Sequence, residues 1–260
     1  MPRSPFEIQK AVVFALFVRE LKTRFGKYRL GYVWALLEPM AHVIVLSAIW
    51  SAMGRTEFAG IPVPMFLVTG IVPFLFFRKT AGQCMSAIES NRGLFNYRQV
   101  RPVDPVLARI ILEAFIYFTS YLLLLFIAGW FFGYEIGIHD LLGLIVINAL
   151  LLLITFGVGL TLSVYGTLYP EIMKLVPMLI FRPLFFMSGI LFPLSIIPIE
   201  YHHWLLWNPL LHVVEFNHLF YFRNFESGDV SHLYVILFAL ASTTFGLFSY
   251  RANWVRMAST

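Results

Sequence analysis

Charge is scarce in this 260-residue chain: Asp, Glu, Lys and Arg together make up 13% of it, where soluble domains carry about 25%. Too few charged side chains remain to clothe a water-exposed surface, which excludes an ordinary soluble enzyme. Cysteine is reduced to Cys84, so no internal disulfide can form and an oxidised secreted scaffold is excluded. No G-x-x-x-x-G-K-[ST] loop occurs; the sole Gly-Lys pair, Gly26–Lys27, runs on into Tyr28, so this chain does not hydrolyse a nucleotide by a P-loop. Gly157 and Gly159 begin a G-x-G, but Leu162 stands where a third glycine would be needed. G-x-S-x-G, H-E-x-x-H and C-x-x-C are all missing. Internal repeats, low-complexity tracts and long polar connections are absent too, so residues 1–260 read as one domain.

What is present is apolar: 59% of residues are hydrophobic and the mean hydropathy is +0.78. A bilayer core of about 30 Å takes roughly 20 apolar residues per helix. Candidate spans fall at Val33–Met53, Ile61–Phe77, Ile110–Phe132, Leu141–Gly166, Leu175–Ile199 and Leu233–Tyr250. Helix formers continue the second past Arg78 and Lys79 toward Ser90. Between the last two lies Trp204–Phe222, which holds Asn208, Pro209, His212, Glu215 and His218. Such polarity is tolerated at membrane depth only inside protein or beside water, so a re-entrant element is expected there. The predicted fold is an all-α integral membrane protein of six transmembrane helices, with an outward re-entrant hairpin between spans 5 and 6.

The basic residues fix the orientation. Sixteen of the 19 Lys and Arg lie in the N-terminal segment, the loop from Arg78 to Arg109, Lys174 and the C-terminal end, against Arg55 and Arg223 on the other side. By the positive-inside rule both termini are cytoplasmic. The net charge of +5 is therefore topological, and nucleic acid is not an expected partner. Ala11–Val18 is too short, and too soon followed by Arg19, for a cleavable signal. Residues 4–30 read instead as a cytoplasmic interface helix ahead of a membrane domain at 31–254. Ile8, Val12, Ala15 and Phe17 would enter lipid, while Lys10, Arg19, Lys22 and Arg24 meet water and anionic headgroups. A plain basic tail is the alternative.

Ionisable groups within the apolar spans carry the functional signal. Arg182 would cost about 2.5–3.5 kcal/mol at a helix centre facing lipid, so it should face the bundle interior, a water path or a carboxylate. Glu38, beside Pro39, and Glu113 are the candidate partners. His212, Glu215 and His218 share a helix face, but interfacial histidines commonly bond to backbone or water, and no metal is expected. The loop 87–109 places Phe95 and Tyr97 among Glu89, Asn91, Arg92 and Arg98. That is more than a turn needs, and exposed aromatics between charges suit docking on another protein. The 6 Trp and 12 Tyr fit interfacial belts or sugar-stacking platforms, and sequence does not separate the two.

Three stretches carry a resemblance: RELKTRFGKYRLGYVWALLEP at Arg19–Pro39, GIVPFLFF at Gly70–Phe77 with RPVDPVLAR at Arg101–Arg109 after it, and RPLFFMSGILFP at Arg182–Pro193 with WNPL at Trp207–Leu210. Their order and spacing resemble the permease subunits of polysaccharide-exporting ABC transporters of the type-2 class, nearest the capsule exporters of the KpsM type. The resemblance implies a multi-pass protein of the bacterial inner membrane, working as a homodimer. It implies two separate P-loop ATPase subunits, so that ATP and magnesium are bound there and no cofactor by this chain. The implied cargo is a lipid-linked acidic capsular polysaccharide, passed on to periplasmic and outer-membrane export proteins. Glu89, Asn91, Arg92, Phe95 and Tyr97 would sit on a coupling helix against the ATPase, with Glu171 in a second contact. From position, Arg24, Lys27 and Arg29 would recruit the anionic end of the cargo, Trp34 would guide it, and Glu38 and Arg182 would line its path. Rival readings are an ABC exporter of O-antigen, teichoic acid or a small amphipathic drug, and a membrane-embedded enzyme built on the His202–His218 cluster.

Overall fold

The computed structural model describes residues 4–25 and 31–259. Helix α1 (Pro5–Phe25) starts from a capping box in which the Ser4 amide donates to Glu7 Oε2 (2.8 Å) and the Glu7 amide to Ser4 Oγ (3.2 Å). Helices α2 (Gly31–Ala52), α3 (Val63–Cys84), α4 (Val103–Phe132) and α5 (Leu141–Leu168) follow. A two-residue β-ribbon, Glu57–Phe58 with Ile61–Pro62, joins α2 to α3 and tucks Phe58 against Trp50 and Phe66. After α5 come the short helices α6 (Ile172–Val176), α7 (Arg182–Met187) and α8 (His202–Leu205), then α9 (Pro209–Tyr221) and α10 (His232–Ser259).

Five of these, α2, α3, α4, α5 and α10, are long and apolar enough to cross a membrane among the described residues. The second predicted span does continue through Arg78 and Lys79, as far as Cys84, and the third starts seven residues earlier than expected, at Val103. Helix α3 is the centre of the bundle: 83% of its apolar window is buried, against 11% for α2, which leaves one long face of Val33, Leu37, Ile44, Val45 and Ile49 uncovered.

The fifth predicted span, Leu175–Ile199, is not one helix. Pro177 and Pro183 each remove an amide donor, and between α6 and α7 the ladder slips to a π turn over Pro177–Phe181, in which the Arg182 amide reaches back to the Pro177 carbonyl. The helix then stops at Ser188–Gly189. Gly189 has φ +67°, and a Cβ there would lie 2.9 Å from the Leu211 side chain, so the chain reverses where only glycine fits. Helix α9 is buried along nearly its whole length. It packs against the ends of α3, α5 and α10 that lie farthest from α1. Asn208 caps it, accepting from the Leu210 amide (3.0 Å) while its own amide group donates to Met187 O (3.1 Å) and Ser188 Oγ (2.9 Å). The Trp-Asn-Pro-Leu stretch is thus the staple that fastens α9 to the end of α7.

Between apolar helices in lipid, association rests on close packing rather than on water expulsion. Gly157 supplies it: a Cβ there would lie 2.4 Å from the Ser242 carbonyl carbon, and one on Gly246 2.6 Å from the Gly157 carbonyl oxygen. The G-x-G of the sequence is therefore the contact between α5 and α10, with Gly159 set against Cys84. Gly157→Ala should cost about 1–3 kcal/mol through forced separation of the two backbones. The check is the thermal midpoint of the purified chain, with Gly82→Ala, whose nearest neighbour would be 3.9 Å away, as a control expected to stay unchanged. Gly133 is not a packing glycine; it ends α4 in the left-handed conformation with φ +70°.

Candidate functional site

The basic end of the bundle is held together by charge pairs. Helix α1 lies on the first turns of α4, and its contacts step in one direction along both. Gln9 Nε2 donates to Asp104 Oδ1 (3.4 Å), Arg109 Nε donates to Glu20 Oε1 (3.0 Å), and Arg24 pairs with Glu113. Gln9 to Arg24 spans about 22 Å of helix and Asp104 to Glu113 about 13 Å, so α1 crosses α4 obliquely. Arg19 is exposed as the amphipathic reading expected, although it also donates to Asn91 Oδ1 (2.8 Å), whereas Arg24 is half-buried and spent on Glu113. Ile8, Val12 and Phe17 are half-buried against protein, while Ala15 is exposed and Phe6 and Phe14 are the exposed large apolar groups of α1.

Arg109 is the hub of this end. It is 6% exposed. Its guanidinium reaches Glu20 on α1, the Gln83 carbonyl on α3, and the hydroxyls of Ser86 (3.0 Å) and Ser90 (3.1 Å). Ser90 belongs to a 3-10 segment, Glu89–Leu94, that follows α3. Of the residues expected to face a docking partner, Glu89 and Tyr97 are exposed, as is Glu171 on its own turn. Asn91 is not: it is buried, donating to Ala87 O (2.8 Å) and accepting from Arg19. Phe95 is half-buried against a small core that includes Cys84, Ile88 and Val106, and Arg92 is half-buried. The outward reading of Asn91 and Phe95 is corrected accordingly; they tie the segment to the membrane helices.

A cleft of about 560 Å³ opens where α1, α2, α3 and α4 meet. Arg24 and Phe25 come from α1, Trp34 and Glu38 from α2, Lys79 and Gln83 from α3, and Glu113 and Tyr117 from α4. Three sequence candidates, Arg24, Trp34 and Glu38, are thus brought together. Lys27 and Arg29 lie outside the described residues. Lys79 donates to both oxygens of Glu38 (3.1 and 2.8 Å). The expected pairing of Arg182 with Glu38 or Glu113 is therefore overturned, because each carboxylate already holds another cation. Arg182 is exposed beside Met178, Leu179 and Phe186 and does not line the cleft. Lys79, Gln83, Tyr117 and Arg109 were missed as site residues. Lys79 and Arg109 were counted as topological charges, although a lysine inside a helix that continues past the apolar run is the same signal that singled out Arg182.

At the opposite end, His212, Glu215 and His218 diverge instead of converging. His212 accepts from the Ser231 amide at Nδ1 (3.0 Å) and meets Leu206 O through Nε2 (2.8 Å); Glu215 accepts from the Leu194 amide (2.8 Å). His218 meets Phe66 O (3.1 Å) and stacks on the Phe66 ring at 4.0 Å, in space left by Gly70, where a Cβ would sit 3.0 Å from its Nε2. Each residue fastens α9 to a different neighbour. The described residues hold no three-residue His, Cys, Asp or Glu cluster with metal-binding geometry.

A charge-tied basic end, a π-broken helix between two prolines and a buried capped helix at the far end complete a bundle with five helices long and apolar enough to cross a membrane among the described residues. The sequence profile of the ABC-2 type transporter family matches residues 11–217. This chain belongs to that family. Among the relatives of this ABC-2 chain is the polysialic acid transport protein KpsM of Escherichia coli, 44% identical over 97% of each chain. The capsule polysaccharide export inner-membrane protein CtrC of Neisseria meningitidis is 27% identical over 92% of this chain and 90% of its own. The O-antigen export system permease protein RfbA of Myxococcus xanthus is 27% identical over 74% of this chain and 72% of its own. Family membership makes this chain a transporter's membrane component and not its ATPase, and five of its described helices are long and apolar enough to cross a membrane.

Proposed function

We propose that this chain is the membrane subunit of an ATP-driven exporter that moves a lipid-linked, acidic capsular polysaccharide from the cytoplasm to the periplasm. The observation that carries this is the 44% identity to a polysialic acid transport protein across 97% of both chains. Two copies would work with two P-loop ATPases, which bind the ATP and magnesium, and would hand the polymer to periplasmic and outer-membrane export proteins. The basic excess at the α1 end supports cytoplasmic termini. In this reading α1 lies at the cytoplasmic interface and the helical run from Ile172 to Met187 enters the bilayer as the fifth of six spans. At about 24 Å it falls short of a full crossing, and the chain from Ser188 to Tyr221 completes the outer side as a re-entrant hairpin. Glu89, Tyr97 and Glu171 would touch the ATPase, and its closure on ATP would move the membrane helices as rigid bodies.

Arg182 supports a role in the cargo path. An arginine on an exposed apolar face would be costly against lipid, so a second copy or a water-filled channel would cover it. Arg182→Ala should abolish export while the complex with the ATPase still assembles, read by co-purification and surface polymer; full export from that variant would remove Arg182 from the path. The function itself is tested by deleting the gene in its own host and locating the surface polymer. Acidic, lipid-linked polymer trapped inside an uncapsulated cell is the expected result, and an intact capsule would overturn the reading. The similarity to an O-antigen permease gives the second reading, for which the lost polymer would be O-antigen.

A further inference from the structure

We infer that the cleft between α1, α2, α3 and α4 is a sugar-binding subsite, which takes a glycosyl residue of the cargo by its hydroxyls and ring faces instead of by its charge. The inference rests on the export reading for the source of the sugar. Its chemistry comes from the cleft.

Two cations and two carboxylates line this space, and they cancel. Lys79 holds Glu38 through both oxygens, and Arg24 holds Glu113. A phosphate or carboxylate entering here would have to displace a carboxylate already in place, one of which, Glu113, is 2% exposed. Removing a partner from a charge so buried is costly. A hydroxyl needs no such exchange, because it donates to an acceptor and accepts from a donor at once. The cleft offers both. Arg24 Nη2 is buried with no hydrogen-bond partner, and neither the Gln83 amide, the Tyr117 hydroxyl nor the Trp34 indole N–H is bonded within the described residues. A buried donor left unpaired is destabilising, and a bound hydroxyl would relieve it.

The walls are aromatic. Trp34 is 73% exposed at the mouth, while Phe25 and Tyr117 are buried deeper. A large, uncovered indole ring beside free amide and hydroxyl groups matches a ligand with apolar ring faces and a polar edge. A volume of about 560 Å³ lies inside the usual range of roughly 300–1,000 Å³ for small-ligand sites. The charge balance also recasts Arg24. It presents no bare positive field to an anionic cargo; it presents one unsatisfied N–H inside a neutral pocket.

The test uses the full chain with its ATPase in nanodiscs free of glycolipid. The probes are short oligosaccharides cut from the host's own capsule and end-labelled, with inorganic phosphate and maltose as competitors. Saturable binding is expected, at least tenfold weaker for Trp34→Ala and Gln83→Ala and largely restored by Trp34→Phe. It should change less than twofold between 50 and 500 mM salt, since no net charge is engaged. Trp34 is exposed and Gln83 makes no side-chain bond, so both variants should fold. Equal binding by wild type and variants would overturn the proposal. So would competition by phosphate, which would make the cleft an anion site, or equal competition by maltose, which would detach it from the cargo. The export reading is decided separately by the deletion strain: trapped polymer there, with unaltered binding by the cleft variants, would remove the subsite and leave the exporter standing.

Discussion

Arg24→Leu alone should damage the chain far more than Arg24→Leu combined with Glu113→Leu. The single change leaves the Glu113 carboxylate, 2% exposed, without its cation, and breaking a buried pair in this way costs about 3–5 kcal/mol. The double change removes both charges together with the orphaned Arg24 Nη2. Buried pairs replaced by apolar groups of similar volume are often neutral or stabilising. The neighbours favour that outcome, since Phe25, Leu112 and Ile116 form a small buried apolar cluster at this point, with Phe17 and Leu21 of α1 packed on it. Thermal midpoints of the four proteins of the cycle measure the coupling directly. A strongly favourable Arg24–Glu113 coupling is expected. A loss in the double variant equal to the sum of the two single losses would show no coupling, leaving α1 held by its apolar face with little contribution from the pair.

The course of the spans was legible because hydropathy in a membrane is a strong constraint: every backbone amide must be satisfied inside the segment. That logic placed α2, α3, α4, α5 and α10 within a few residues of their observed ends, apart from the starts of α4 and the ends of α3 and α10. It overestimated the fifth, because a window of apolar residues does not register what Pro177, Pro183 and Gly189 do to the ladder. The polar stretch after it was set apart for the right reason. Asn208, His212, Glu215 and His218 are too polar for lipid, and each is buried in protein. The pairings were not legible. Arg24 and Glu113 stand 89 residues apart, as do Glu20 and Arg109, and nothing local selects one carboxylate over another. The glycines' roles were not legible either: the incomplete G-x-G at Gly157 excluded a nucleotide motif without saying what that glycine does, and the sequence left Gly133 without an assigned role. Backbone approach and φ show a helix contact and a helix end.

Arg109→Lys should leave a folded chain that no longer couples the two sides of the network at the basic end of the bundle. The guanidinium joins four groups on three segments: Glu20 of α1, the Gln83 carbonyl at the end of α3, Ser86 after it, and Ser90 in the 3-10 segment. Together with Arg19–Asn91, it ties α1 to that segment, so that, if Glu89 and Tyr97 dock on the ATPase as proposed, a push on them would be carried to α1 without bending a single helix. Lysine keeps the charge and its attraction to Glu20. Its three donors sit on one point, however, and cannot spread across four acceptors as the planar fork does. In reconstituted complexes the expected result is ATP hydrolysis near the wild-type rate with export down tenfold or more, and protease cleavage within α1 accelerated. A structural role alone would instead lower assembly, hydrolysis and export in parallel. Unchanged export in Arg109→Lys would mean that charge at this position suffices and the hydrogen-bond fork does not transmit the motion. Glu20→Gln separates the two contributions, because it removes the ion pair to α1 while leaving the bonds to Gln83, Ser86 and Ser90 in place. If α1 is moved through Arg109, this variant should loosen α1 and reduce export with the docking segment still held.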